Sequence, residues 1–139
     1  MRGLPNLIRL HRWQLDERRR AVAELEALRR AIREDIKRLE AEIGAESGAS
    51  REITKGVALF PSYFANARAR QTRMEASIDK IDASLHASRE EAGNAYRELR
   101  KYETVLENFE RQEEMAENRR EQAEQNEIAL AIYRRRANS

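Results

Sequence analysis

The chain has 139 residues, of which 37% are charged and only 6% aromatic, and its 27 basic and 25 acidic side chains leave a net charge of +2. Such a composition excludes a thick globular core, and the near balance of charge argues against a dedicated nucleic-acid binder, whose footprint is a basic stripe. The absence of cysteine excludes disulfides and thiolate metal sites.

Ala, Glu, Leu, Arg and Gln dominate, and all are good helix formers. A chain of this kind can bury a narrow stripe along a helix. From Leu4, alternate steps of four and three residues pass through Leu4, Ile8, His11, Leu15, Arg18, Val22, Leu25, Arg29, Ile32, Ile36, Leu39 and Ile43. Most of these are aliphatic, and the 3.5-residue period marks a coiled-coil helix over about 4–43. The charged residues on this stripe, Arg18 and Arg29, are expected to pack their stems and reach Glu or Asp on a facing helix. Leu25 and Ile36 are expected to be buried.

The pattern stops at Gly44, and Ser47, Gly48 and Ser50 follow, all helix-ending or turn-forming types. A second break comes at Gly56 and Pro61, so a turn region is expected over about 44–60, with Ile53 and Val57 on either a short helical turn or a loop. Pro61 suits the first turn of a new helix, where its missing N–H is not needed. The stepping then resumes through Phe60, Phe64, Ala67, Gln71, Met74, Ile78, Ile81, Leu85, Ser88, Ala92, Ala95, Leu99, Tyr102, Leu106 and Phe109, within a second helix over about 61–133. Two heptad helices joined by a Gly/Ser segment bury their stripes by folding back on each other. The expected fold is all-α, a single domain over 1–139 formed as a long two-helix antiparallel coiled-coil hairpin. A parallel dimer of one continuous helix is the rival, and it would place Gly44, Gly48, Gly56 and Pro61 inside the rod.

The second helix is the longer arm. Residues 110–127 carry seven Glu and three Arg, with only Met115, Ala116 and Ala123 apolar, so this stretch is expected to be solvated, frayed or held by a partner. Ile128, Leu130, Ile132 and Tyr133 then precede a basic end, Arg134 to Arg136.

Nothing in the sequence suggests catalysis. His11 and His86 are the only histidines and share no metal-ligand spacing. Lys55-Gly56 lacks the glycine before it and the hydroxyl residue after it that a phosphate-binding loop needs. No pair of carboxylates stands out from the solvated faces, as general acid–base work would require. The expectation is a non-enzymatic protein with no cofactor and no metal. No apolar run approaches the roughly 18 residues that cross a bilayer, and residues 1–6 lack the apolar stretch of a signal peptide. A cytoplasmic location without direct membrane insertion is therefore expected. The Arg-rich start fits a mitochondrial presequence poorly because Asp16 and Glu17 interrupt it.

The stretch from Leu7 to Arg20, LIRLHRWQLDERRR, followed by Ala23-Glu24-Leu25-Glu26, resembles the N-terminal helix of the FliJ family, small coiled-coil proteins of the bacterial flagellar export apparatus. The length, Phe60-Pro61-Ser62-Tyr63 opening the second helix and the polar C-terminal arm fit the same family in layout. The resemblance implies a stalk similar to the coiled coil of the rotary ATPase gamma subunit. It would couple a hexameric export ATPase to the membrane export gate at the cytoplasmic face of the apparatus, and would escort export chaperones. Family gate contacts lie near the hairpin tip, which here offers Phe60, Tyr63 and Phe64. Arg68, Arg70 and Arg73 stand there where the family favours a more apolar or neutral surface. The open end, with Arg9, Arg12, Arg119, Arg120, Ile128, Ile132 and Tyr133, would meet the ATPase ring. Two other classes remain open: a helical-hairpin holdase chaperone, and a nucleic-acid-binding coiled-coil arm using Arg9, Arg12, Arg18, Arg19 and Arg20.

Overall fold

The computed structural model describes residues 2–53 and 60–138, with side chains described for 2–48 and 61–138. Helix α1 spans Leu4–Ile53 and helix α2 spans Phe60–Ala137, and no strand occurs among the described residues. The first turn of α1 is closed by Leu7 N–H donating to the Gly3 carbonyl at 3.0 Å. Pro61 sits in the first turn of α2, where no intrahelical donor is required of it. Arg134, Arg135 and Arg136 fall in the last turn of α2, where positive charge complements the helix dipole.

Helix α1 runs through Gly44, Ser47, Gly48 and Ser50 to Ile53, past the end at residue 43 that the sequence suggested. No described glycine adopts a positive φ, so neither Gly44 nor Gly48 acts as a left-handed cap. Each costs the helix about 1 kcal/mol relative to alanine, and the helix formers around them, among them Ala45 and Glu46, absorb that cost. Of the turn expected over 44–60, residues 44–53 are helical and Phe60 already belongs to α2, while residues 54–59, with Gly56 and Val57, lie outside the described residues.

The chain divides into two compact units, residues 13–96, and residues 1–12 together with 97–139. In the first of these units the two helices pack antiparallel. Contacts run from Arg18 to Glu91, Arg29 to Asp82 and Glu40 to Gln71, so positions rise along α1 as they fall along α2. The buried seam is made of Leu15, Ile36, Leu39 and Ile43 from α1 and Ala67, Ile78, Ile81 and Leu85 from α2. Where α1 ends and α2 begins, Leu39, Ile43 and Ala67 form a cluster against which Phe64 and Met74 pack.

Gln71, a polar residue on the apolar stripe, is buried with a partner at each polar atom: its amide N–H donates to Glu40 Oε1 at 3.0 Å and its carbonyl accepts from Arg68 at 3.1 Å. Burying an amide is tolerable only with partners of this kind. Ser88, Ala92 and Ala95 are half-buried, as are Val22, Leu25 and Ile32.

In the other unit, Ile8 and Leu99 are buried, and the His11 ring stacks on Tyr102 with centroids 4.7 Å apart and planes 28° apart. Arg12 donates to Glu103 Oε2 at 3.1 Å. Seven residues toward the start of α1 from His11 is Leu4, and seven toward the end of α2 from Tyr102 is Phe109; both are half-buried. Past Phe109 only Ala116 retains partial cover, and every described residue from Glu117 onward is exposed although the helix continues to Ala137.

Ile36 is buried at 6% exposure, whereas Leu25, expected to be equally covered, is only half-buried. A slender two-helix seam leaves each side chain open on two flanks, so truncations should fall at or below the low end of the globular-core range. Ile36→Ala is expected to cost about 2 kcal/mol and Leu25→Ala about half of that. Urea unfolding followed by circular dichroism checks the order, and equal losses would mean that the seam closes differently.

Candidate partner-binding surfaces

The seam takes up the aliphatic side chains of the four-three stripes, so candidate surfaces are carried by large apolar residues that lie off them. Helical spacing sets Tyr63 and Phe64 on adjacent faces of the first turns of α2. Tyr63 is exposed at 39%, while Phe64 lies against the Leu39, Ile43 and Ala67 cluster. Their rings meet edge to face at 5.6 Å. Phe64 therefore acts as packing and Tyr63 as accessible surface. The side chain of Phe60 lies outside the described residues. Beside Tyr63 a shallow groove is lined by Leu39, Glu42, Asn66, Ala67, Arg70 and Arg73.

In the unit that contains both chain ends, Arg12 is engaged by Glu103, whereas Arg9 is exposed without a described ion-pair partner. Arg119 and Arg120 are exposed on α2. Ile128, Ile132 and Tyr133 are exposed at 61%, 48% and 71%. Six successive residues, Ile128 to Tyr133, are apolar, so at 100° per residue they cover every side of the helix. The sequence had marked Ile128, Ile132 and Tyr133 but not this all-round character. It also missed Leu10, Trp13, Leu28, Tyr96 and Val105, all exposed. A large apolar residue lying off the four-three stripe is the signal that identifies them.

The flanks of the seam are electrostatic. In the unit of residues 13–96, Arg18 reaches Glu91 at 2.8 Å, Arg29 reaches Asp82 at 2.6 Å and Arg89 reaches Glu26 at 3.1 Å. The two stripe arginines thus find carboxylates on the facing helix, as their positions suggested, although Arg18 stays exposed. The Arg29 hydrogen bond, with further positive charge from Arg33 and Arg89, holds the Asp82 carboxyl below its usual range and the Arg29 guanidinium above its own. His86 stands at the surface with Nε2 3.3 Å from Glu90. Among the described residues no group of three or more Asp, Glu or His is placed to hold a metal ion. No described helix is long and apolar enough to cross a membrane.

Comparison with protein families, with curated proteins and with solved structures finds no match to this chain.

Because Asp82 holds its proton less tightly when folded than when unfolded, its ion pair favours folding at pH values above the ordinary carboxylate pKa of about 3.9, and the contribution disappears as pH falls through the folded value. Asp82→Asn is therefore expected to lower the melting temperature at neutral pH and to converge with the parent in acid. A constant difference across the titration would show that the pair adds nothing through charge.

The exposed reach of α2 has no tertiary cover to offset the entropy of ordering it. Limited trypsin digestion of dilute protein is expected to cut first at Arg111, Arg119 or Arg120, and early cleavage within residues 15–40 would contradict the pairing described above.

Proposed function

We propose that the protein is a non-enzymatic stalk of a type III protein export apparatus, coupling a hexameric export ATPase to a membrane export gate and escorting export chaperones. The observation that carries this reading is the bare helical end of α2, apolar on every side from Ile128 to Tyr133 and then basic from Arg134 to Arg136. A flat partner would cover only one side of such a turn. A ring or socket that surrounds the helix covers all of it, and the positive charge of Arg9, Arg119 and Arg120 in the same unit would orient the insertion more than tighten it. The likeness of residues 7–26 to the FliJ family supports the same reading. For the gate, the accessible aromatic is Tyr63, with Phe64 supporting it from below.

The pairing of Arg12, Arg18 and Arg20 with carboxylates weighs against the nucleic-acid-binding reading, since each would have to give up an ion pair to neutralise phosphate. The same surfaces suggest the decisive experiment. Tyr63→Ala is expected to weaken binding to the gate protein at least about tenfold while leaving ATPase binding intact. Alanine at Ile128, Ile132 and Tyr133 together is expected to do the reverse. Both affinities are measured on both variants, with circular dichroism confirming the helix. Loss of ATPase binding in the Tyr63 variant, or none in the triple variant, would overturn the assignment.

A further inference from the structure

A second stripe runs along the exposed part of α2. Met115, Asn118, Gln122, Gln125, Ala129 and Ile132 follow one another at alternate steps of three and four residues, and all are exposed. At 100° per residue they lie on the side of α2 roughly opposite Leu99, Leu106 and Phe109, the stripe that faces α1. None of the six is charged, in a segment otherwise dense with Glu and Arg. A helix of this length with no packed face is marginal by itself in water, which makes an uncharged heptad stripe an unpartnered seam.

We infer that this seam pairs with the same seam of a second copy of the chain, antiparallel and about a two-fold axis between Ala123 and Glu124. The stripe reads the same way from both ends. Turning one copy end over end sets Met115 opposite Ile132, Asn118 opposite Ala129 and Gln122 opposite Gln125, and each layer occurs twice, as an isologous interface requires. Antiparallel heptad pairing places the flanking residues in register as well. Glu114 of one copy comes beside Arg135 of the other, twice, and Arg119 comes beside Asn126; Glu121 meets Ile128 and Gln112 meets Tyr133.

No like-charged pair arises in any of these positions, although residues 110–127 carry seven Glu. A parallel pairing in register would set Glu114 beside Arg119 of the other copy, Glu121 beside Asn126 and Ile128 beside Tyr133, and would replace the Met–Ile layers by Met115 on Met115 and Ile132 on Ile132. It would leave Arg135 without an acidic neighbour, so the charge swap below separates the two directions. The apolar layers, Met115 with Ile132, are exposed at 55% and 48% in the single chain and would close the two ends of the interface. The central Gln layers fix the register at a cost in stability, so the dimer is weak and concentration-dependent. It covers Ile132 and Tyr133, so self-association and any partner gripping this arm exclude each other. The inference rests on α2 alone and stands apart from the export reading.

Sedimentation equilibrium of the full chain is expected to show a monomer–dimer equilibrium with no larger species. Glu114→Arg, which turns both Glu–Arg contacts into like-charge contacts, is expected to weaken the dimer about tenfold, and adding Arg135→Glu should restore it. Because the chain lacks cysteine, single spin labels report direction. Labels on Glu124→Cys should lie within about 25 Å of each other and labels on Asn138→Cys about 40–45 Å apart, given 1.5 Å per residue. A chain that stays monomeric at the highest attainable concentration, short distances at both label sites, or no rescue by the double charge swap would overturn the proposal.

Discussion

Narrow helix–helix seams govern this protein. With so few aromatic and so many charged side chains, burial is confined to one stripe per helix, and those stripes can be covered only by each other. The period of 3.5 residues keeps the stripe on one side of the helix over its length, so the aliphatic residues that would otherwise build a rounded core are spread along it in shallow layers. That is why the buried positions are isolated along the helices, Ile8, Leu15, Ile36, Leu39 and Ile43 on α1, and why half-buried residues such as Val22, Leu25 and Ile32 fill the spaces between them.

Specificity of pairing comes from the edges of that seam. Leu and Ile layers are interchangeable and tolerate sliding by a heptad. Charged pairs do not. Arg29 with Asp82, Arg18 with Glu91 and Glu26 with Arg89 are satisfied together in this alignment, and the buried Gln71 amide N–H would lose Glu40 in any other. Exposed ion pairs contribute little stability individually, but the set of charged pairs taken together and the Gln71 N–H that needs Glu40 favour this register over its neighbours. In the unit containing the chain ends, the stack of His11 on Tyr102 and the Arg12–Glu103 pair serve the same purpose.

The seam also determines what is left for function. Its layers are closed by neighbouring side chains and its flanks carry ion pairs, so accessible apolar side chains are either off the stripes, as at Trp13, Leu28 and Tyr63, or on α2 beyond Phe109. A helix that continues without cover carries surface that only another molecule can bury. The all-round apolar turn at 128–133 and the one-sided neutral stripe at 115–132 are different kinds of surface on that same helix, the first fitting a partner that surrounds it and the second a partner that lies alongside.

The all-α fold and the two stripes were legible in the amino-acid sequence, because a 3.5-residue period is a local property that each helix displays by itself. Every described position on the stripes is at least half-buried except Arg18, and Arg18 is the one whose length lets its head leave the seam. The end of α1 was not legible: Gly44 and Gly48 carry a helix-ending signal, but no left-handed conformation forms there and the helix continues to Ile53, a choice made by the summed preferences of neighbouring residues. Spacing did separate two adjacent aromatics: Phe64, on the stripe, packs against the Leu39, Ile43 and Ala67 cluster, and Tyr63, off it, faces out. The register, by contrast, was beyond the sequence, since many carboxylates lie within sliding distance of Arg29, and only the packed helices decide that Asp82 is the one it meets.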